Sequence, residues 1–229
     1  MKYFELLITF VIKQDIHFSQ AHEFLSKVIS KAMLFNEELK VKHMQREIKN
    51  YVFGLPYPVN KDLKIYQANH AFVFNIRSFD ESFLLTMKEI LSAYDCGIKV
   101  LMSQVVQCRY SFIEFLDTLT PVVVTIDGRC WTHEDGMALL QQKLHNNTAR
   151  KTKMVFPGFI EPELNFICGM ELISRKMISI PYKNTKLLGT KLRLYINSDE
   201  TSQKMAFTVM GAGIAEKGSL GMGFCASRK

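Results

Sequence analysis

The sequence predicts an α+β protein made of two successive β-α-β-β-α-β units. Three observations carry this prediction: a strict apolar alternation at the start, helical spacing in the segment after it, and the return of the same order in the second half. Phe4, Leu6, Ile8, Phe10 and Ile12 alternate, so residues 2–13 read as a strand with one face on a core. Glu5 and Thr9 interrupt that run and no small-residue cleavage site follows, which argues against a signal peptide. Phe24, Val28, Ala32 and Phe35, with Leu25 and Ile29 beside them, make residues 19–35 a helix with Ser19 as its N-cap. A charged segment, 36–49, comes next. YVFGLPYPV (51–59) and HAFVFNIRS (70–78) read as strands, Asp80 starts a helix that ends before Gly97, and residues 97–110 form a long strand. This is the ferredoxin-like, or RRM-like, split unit.

The second half is a looser version. PVVVTID (121–127) reads as its first strand, ended by Asp-Gly. Thr132 caps a helix that runs to residue 149, and strands are expected at 163–170, 172–181 and 187–196. ETSQKMAFTVMG (200–211) reads as a helix, and a glycine-rich run leads into a final strand at 220–226. The expected domains are 1–114 and 115–229, tandem ferredoxin-like units packed into one two-lobed molecule around a shared groove.

Composition narrows the function classes. Of 229 residues, 48% are hydrophobic and 22% charged, enough apolar matter for a packed core. The five cysteines (96, 108, 130, 168, 225) include no pair at the two-residue spacing of a zinc site or redox dithiol. A reduced, cytoplasmic protein is the simplest expectation. No segment has the length of a membrane span. The net charge of +7 is uneven: residues 1–114 hold 14 basic against 12 acidic residues, and residues 115–229 hold 15 against 10. Such a surface suits a polyanion, nucleic acid being the commonest; a merely solvated basic face is the alternative.

The stretch MGAGIAEKGSLGMGFCASRK holds five of the twelve glycines, at 211, 213, 218, 221 and 223. A dinucleotide fingerprint fails, because Glu216 stands where the third glycine belongs. A P-loop fails on spacing around Lys217-Gly218-Ser219. Two readings remain: a hairpin whose amides and Lys217 lie against a nucleic-acid backbone, or a tight turn that packs helix on sheet.

The pattern G-x-G-x₄-G-S-x-G-x-G-F resembles the glycine-rich signature of the CRISPR-associated repeat-processing endoribonucleases, the Cas6 family of the RAMP superfamily. KNYVFGLPYPV, NIRSFDESFLLTMKEIL, LTPVVVTIDG and NNTARKTK are similar to further segments of that family, so the resemblance spans nearly the whole chain. It implies a tandem ferredoxin fold and a metal-independent endoribonuclease. That enzyme would cut CRISPR repeat RNA (pre-crRNA) into mature crRNA by 2′-hydroxyl attack, leaving a 2′,3′-cyclic phosphate and a 5′-hydroxyl. It implies no cofactor, no metal and no membrane partner, and allows association with other subunits of a CRISPR effector complex.

Such a cut needs a base, an acid and a cation to offset charge on the phosphoryl oxygens. Histidine suits proton transfer near neutral pH. His43, in the basic segment VKHMQREIKNYVF, matches the family's histidine ahead of a strand, and Lys49 matches its following lysine. His43 is expected as general acid or base and Lys49 as the cation. His22 is the second choice; no tyrosine lies between Tyr3 and Tyr51, so the role of a tyrosine that some members carry upstream of the histidine is vacant or passes to Tyr51. His70 is expected to be packed in a strand and His133 to belong to a helix start; His17 and His145 carry no expectation. No carboxylate cluster suggests a two-metal nuclease. Arg150, Lys151, Lys153, Lys183, Lys186, Lys191 and Arg193 are expected phosphate contacts, with Arg175 and Lys176 as alternates. The glycine-rich stretch, Gly211, Gly213, Lys217, Gly218, Ser219, Gly221 and Gly223, is expected to cradle RNA. A non-catalytic crRNA-binding subunit is the rival function. A ferredoxin-like protein-interaction module is the third, and it would bind RNA weakly and without salt dependence.

Overall fold

The computed structural model of the chain describes residues 1–45, 48–60 and 62–228. The first half places β1 (Lys2–Val11), α1 (Ala21–Met33), α2 (Glu37–Met44), β2 (Tyr51–Phe53), β3 (Ala71–Ser78), α3 (Glu81–Ala93) and β4 (Lys99–Arg109) in chain order. Its antiparallel sheet runs β2-β3-β1-β4. The second half places β5 (Phe115–Thr118), α4 (Met137–Val155), β6 (Ile167–Leu172), β7 (Ile178–Tyr182), β8 (Thr185–Gly189), β9 (Leu192–Ile196), α5 (Glu200–Ala212) and β10 (Cys225–Arg228). Its sheet runs β6-β9-β5-β10, the same order with one added hairpin, β7–β8. Both are ferredoxin-like units.

The apolar alternation of β1 sorts its residues. Phe4, Leu6, Ile8 and Phe10 enter the first core with Phe72, Phe74 and Ile76 of β3, under Leu25, Val28 and Ile29 of α1 and Leu84 and Met87 of α3. Tyr3, on the other face, joins the second core, where α5 packs Met205, Ala206 and Val209 against Leu192 and Leu194 of β9. β1 therefore serves both lobes.

Three expectations change. The charged segment 36–49 contains a helix, α2. Asn36 caps it, its side chain accepting from the Leu39 amide at 3.0 Å, with Glu37 and Glu38 in the first turn and Lys42 and His43 in the last. Caps and dipole-matched charges sustain it; Leu39 is its single buried residue, so apolar periodicity is silent there. PVVVTID is not the first strand of the second sheet; Phe115–Thr118 is. Val122, Val123 and Val124 are buried, but Val122 makes only an isolated bridge to Thr190, and Thr125–Ile126 pairs with Arg129–Cys130. His70 is exposed ahead of β3.

The lobes are joined by buried polar contacts. Arg77 of β3 forms an ion pair with Glu5 at 3.3 Å and donates to the Cys225 carbonyl at 2.7 Å. Its guanidinium lies 4.1 Å from the Phe224 ring centroid. Among the described residues, no helix is long and apolar enough to cross a membrane.

Candidate active site

His43 lies in the last turn of α2, half-buried. Burial, and then the charge of Lys49, lower its pKa from the usual imidazole value. The neutral ring is therefore the resident form at neutral pH, which suits a proton acceptor. Lys49 sits close enough for that electrostatic effect. Its ammonium donates to the carbonyls of Lys42 and Gln45, the latter at 2.8 Å, and so caps the C-terminal end of the helix that carries His43. Arg46, part of the same basic segment, lies outside the described residues. A cleft of about 440 Å³ opens beside this turn, walled by Lys42, Gln45 and Lys49, by Tyr51 and Asp80, and by Met154 of the other lobe.

The two second-choice residues lie in the interior. Tyr51 is 6% exposed, its hydroxyl 4.0 Å from the Met33 sulfur, and burial raises its pKa. His22 is 4% exposed and donates from Nδ1 to the Leu220 carbonyl at 3.1 Å. Burial is the main reason its pKa falls to about 4. His22 reaches no open surface, and Tyr51, though it backs the cleft, is almost wholly buried with its hydroxyl on Met33, so the expectation of a proton-transfer role is corrected for both. His22 instead sets an acid limit. The unfolded chain binds its proton from pH ~6.5 downward. The folded chain binds it only near 4, so stability falls as pH drops through that window. The loss should reach about 3 kcal/mol. Urea titrations at pH 7 and pH 4.5 on the wild type and His22→Asn, which keeps a donor for Leu220, should show a shallower acid loss in the variant.

The glycine-rich stretch is also an interior element. Gly211 lies in α5, where a Cβ would come within 2.5 Å of Phe79. At Gly213 it would approach Val52 at 2.7 Å, and at Gly218 the Tyr51 carbonyl at 2.9 Å. Gly221 and Gly223 have φ of +75° and +68°, and a Cβ would run into the Phe53 ring and the Ile214 carbonyl respectively. These positions need glycine for backbone shape and for close approach to β2. All five glycines are buried, so the expected RNA cradle is corrected to a wedge between the lobes. Lys217 and Ser219 remain half-exposed on it.

The basic residues divide. Lys151 is 2% exposed and donates to the carbonyls of Ala212, Gly213 and Ala215 at 2.7–3.1 Å. Burial draws its pKa down to about 7. It pins the start of the glycine stretch and is not a surface phosphate contact. Arg193 is committed to Asp117 through two bonds of 2.7 and 3.0 Å, which raise its pKa further. The expected shared face of Lys191 and Arg193 is thereby half-spent. Lys191 is half-buried with its pKa lowered by desolvation. Arg150, Lys183 and Lys186 are exposed, as are Arg175 and Lys176; Lys153 is exposed but paired with Glu161 at 2.7 Å. The exposed cations thus fall on α4 and on the β7–β8 hairpin, whose Lys183 amide donates to Glu23 of α1 at 3.1 Å.

Other histidines serve structure. His145 accepts the Phe166 amide on Nδ1 and faces Glu161 with Nε2, which fixes the neutral tautomer. His133 starts a short 3₁₀ turn between Thr132 and Asp135. Among the described residues, no group of three or more His, Cys, Asp or Glu side chains is arranged to hold a metal ion. Sequence reasoning passed over Asn50, which follows Lys49 and whose buried Oδ1 has no partner among the described residues.

Two ferredoxin-like units in tandem, with a cleft between them, define the class of fold. No family model and no curated protein matches the sequence. Among solved structures, the chain is similar over its full length to "An RAMP protein binding different RNA substrates", with a TM-score of 0.72, 17% identity and 100% of both chains covered. It is similar to the product of a Cas6-related gene from Pyrococcus furiosus, with a TM-score of 0.67, 17% identity, 99% of this chain and 98% of that one. The Thermus thermophilus Cas6 matches at a TM-score of 0.62 and 14% identity, over 99% of this chain and 98% of that one. The fold is that of the Cas6 and RAMP proteins.

Proposed function

We propose that the protein binds CRISPR repeat RNA and cuts it without metal, with His43 taking the proton of the attacking 2′-hydroxyl. One observation carries the proposal: a half-buried histidine whose pKa is lowered by burial and by Lys49, itself a wall of the interlobe cleft of a Cas6-like fold. The reaction forms a bond from the 2′-oxygen to phosphorus and breaks the bond to the 5′-oxygen, which takes a proton from solvent water as it leaves. Lys49 and Lys42 supply positive charge beside the site. The exposed Arg150, Lys153, Lys183, Lys186 and Lys217 supply the sequence-independent attraction to phosphates. The free thiols fit a reducing, cytoplasmic setting. We also propose 1–114 and 115–229 as the two domains.

Repeat RNA should be cleaved in EDTA at an unchanged rate and should resist cleavage when the 2′-hydroxyl at the cut is replaced by hydrogen. Activity lost in chelator and restored by magnesium would reject the mechanism. A second reading, a non-catalytic crRNA-binding subunit, draws on Lys49, whose ammonium is engaged with carbonyls at the end of the helix that carries His43. Tight, salt-dependent binding of the repeat with no cleavage would select it.

A further inference from the structure

We infer that the cleft beside α2 seats one unpaired nucleobase of the bound RNA and reads it through the carboxamide of Asn50. The inference rests on the RNA reading above and names what that site recognises. The cleft, about 440 Å³, falls within the roughly 300–1,000 Å³ of small-molecule sites. It lies between the α2–β2 connection of one lobe and the end of α4 in the other. Phe79 and Phe83 give it apolar walls, with Met154 facing them, 49% exposed. Such a slot, apolar with few polar groups, is the form that holds a flat aromatic ring.

The polar groups around it are nearly all engaged. Asp80 accepts from the Phe83 amide at 3.0 Å and from Ser82 at 2.6 Å, and faces Lys42 at 3.6 Å. Ser78 donates to the Asn50 backbone carbonyl at 3.0 Å and accepts from the Asp80 amide at 3.1 Å. Asn50 is the exception. Among the described residues, none partners its buried Oδ1. An acceptor in that state is costly and calls for an explanation. A carboxamide presents one acceptor and one donor side by side. Every unpaired base presents the complement on its pairing edge, and adenine presents it through N6 with N7 as well, the pair that an Asn carboxamide reads. Lys49 lines the cleft and is close enough to His43 to lower its pKa, so a base seated here lies near the proposed catalytic ring. Asn50 thereby becomes a specificity-determining residue at the lobe junction.

Two measurements test this. The Asn50 side-chain NH₂ resonances should shift when the protein is titrated with AMP, and less with CMP, GMP or UMP. In cleavage of the repeat, changing the unpaired base beside the cut should slow the wild type by about ten-fold or more. Asn50→Ala should remove that discrimination. Asn50→Asp, which keeps an acceptor but no donor, should weaken it. Neither variant should lower the melting temperature, because no hydrogen bond from this side chain is lost. Unshifted Asn50 resonances with all four nucleotides, or unchanged base discrimination in Asn50→Ala, overturns the inference while leaving repeat cleavage intact. Failure of the wild type to bind repeat RNA overturns the RNA reading and the inference with it.

Discussion

His43→Ala should lower single-turnover cleavage of repeat RNA by about 10²–10⁴-fold, the usual worth of one proton-transfer group. Repeat affinity should hardly change, because the proposed phosphate contacts are the exposed cations of α4 and the β7–β8 hairpin, away from His43 in the chain. The pH profile of the wild type carries the sign. Burial and Lys49 lower the His43 pKa. A base acts in its neutral form, so the rate should climb through a midpoint below ~6.5 and level off toward neutral pH. A rate that instead falls with rising pH would assign His43 as the acid. Near-wild-type turnover of the alanine variant would remove His43 altogether. His22 would not inherit the role, since its ring is buried and bonded to Leu220.

Gly221→Val should unsettle the fold through the glycine-rich stretch. A β-branched side chain at φ +75° is strained, and its Cβ meets the Phe53 ring in the first core. Overpacking of this kind costs about 1–3 kcal/mol before the backbone term is added. For a chain of this size each kcal/mol lowers the melting temperature by about 2–4 °C, so a drop on the order of 10 °C is expected in calorimetry. Lys217→Ala offers the contrast: it should melt normally and lose about one counterion from the salt dependence of RNA binding. A normally stable Gly221→Val with weak RNA affinity would restore the cradle that the stretch suggested.

Much of this architecture was legible because periodicity is a local signal. The alternation from Phe4 to Ile12, the pairing of Phe72, Phe74 and Ile76 on one side of β3, and Asp80 at the start of α3 each state their own structure. What failed was decided by distant partners. The run Val122–Val124 looks like a central strand, yet it is buried against the β7–β8 hairpin and Met222 as well as the second core. The helix carrying His43 has almost no apolar face to announce it. At the site, chemistry could be read and burial could not. Nothing within NNTARKTK separates Lys151, driven inward onto three carbonyls, from Arg150 and Lys153, which stay outside. Asn50 carries no signal at all in sequence, because its importance is an unmet hydrogen bond at a lobe junction.

Duplicated folds commonly melt in two steps, one for each copy, but the closure described here removes that freedom. Residues 213–224 wedge against β2, and β10 follows at once to complete the second sheet beside β5. Withdrawing β10 would pull on the wedge, strip Leu220 from His22 and the Cys225 carbonyl from Arg77, and uncover Phe53. Opening one half therefore costs the bonds of the other. The amides of β2 and of β10, though they belong to different sheets, should therefore exchange with solvent through the same event, which hydrogen exchange would show as equal protection.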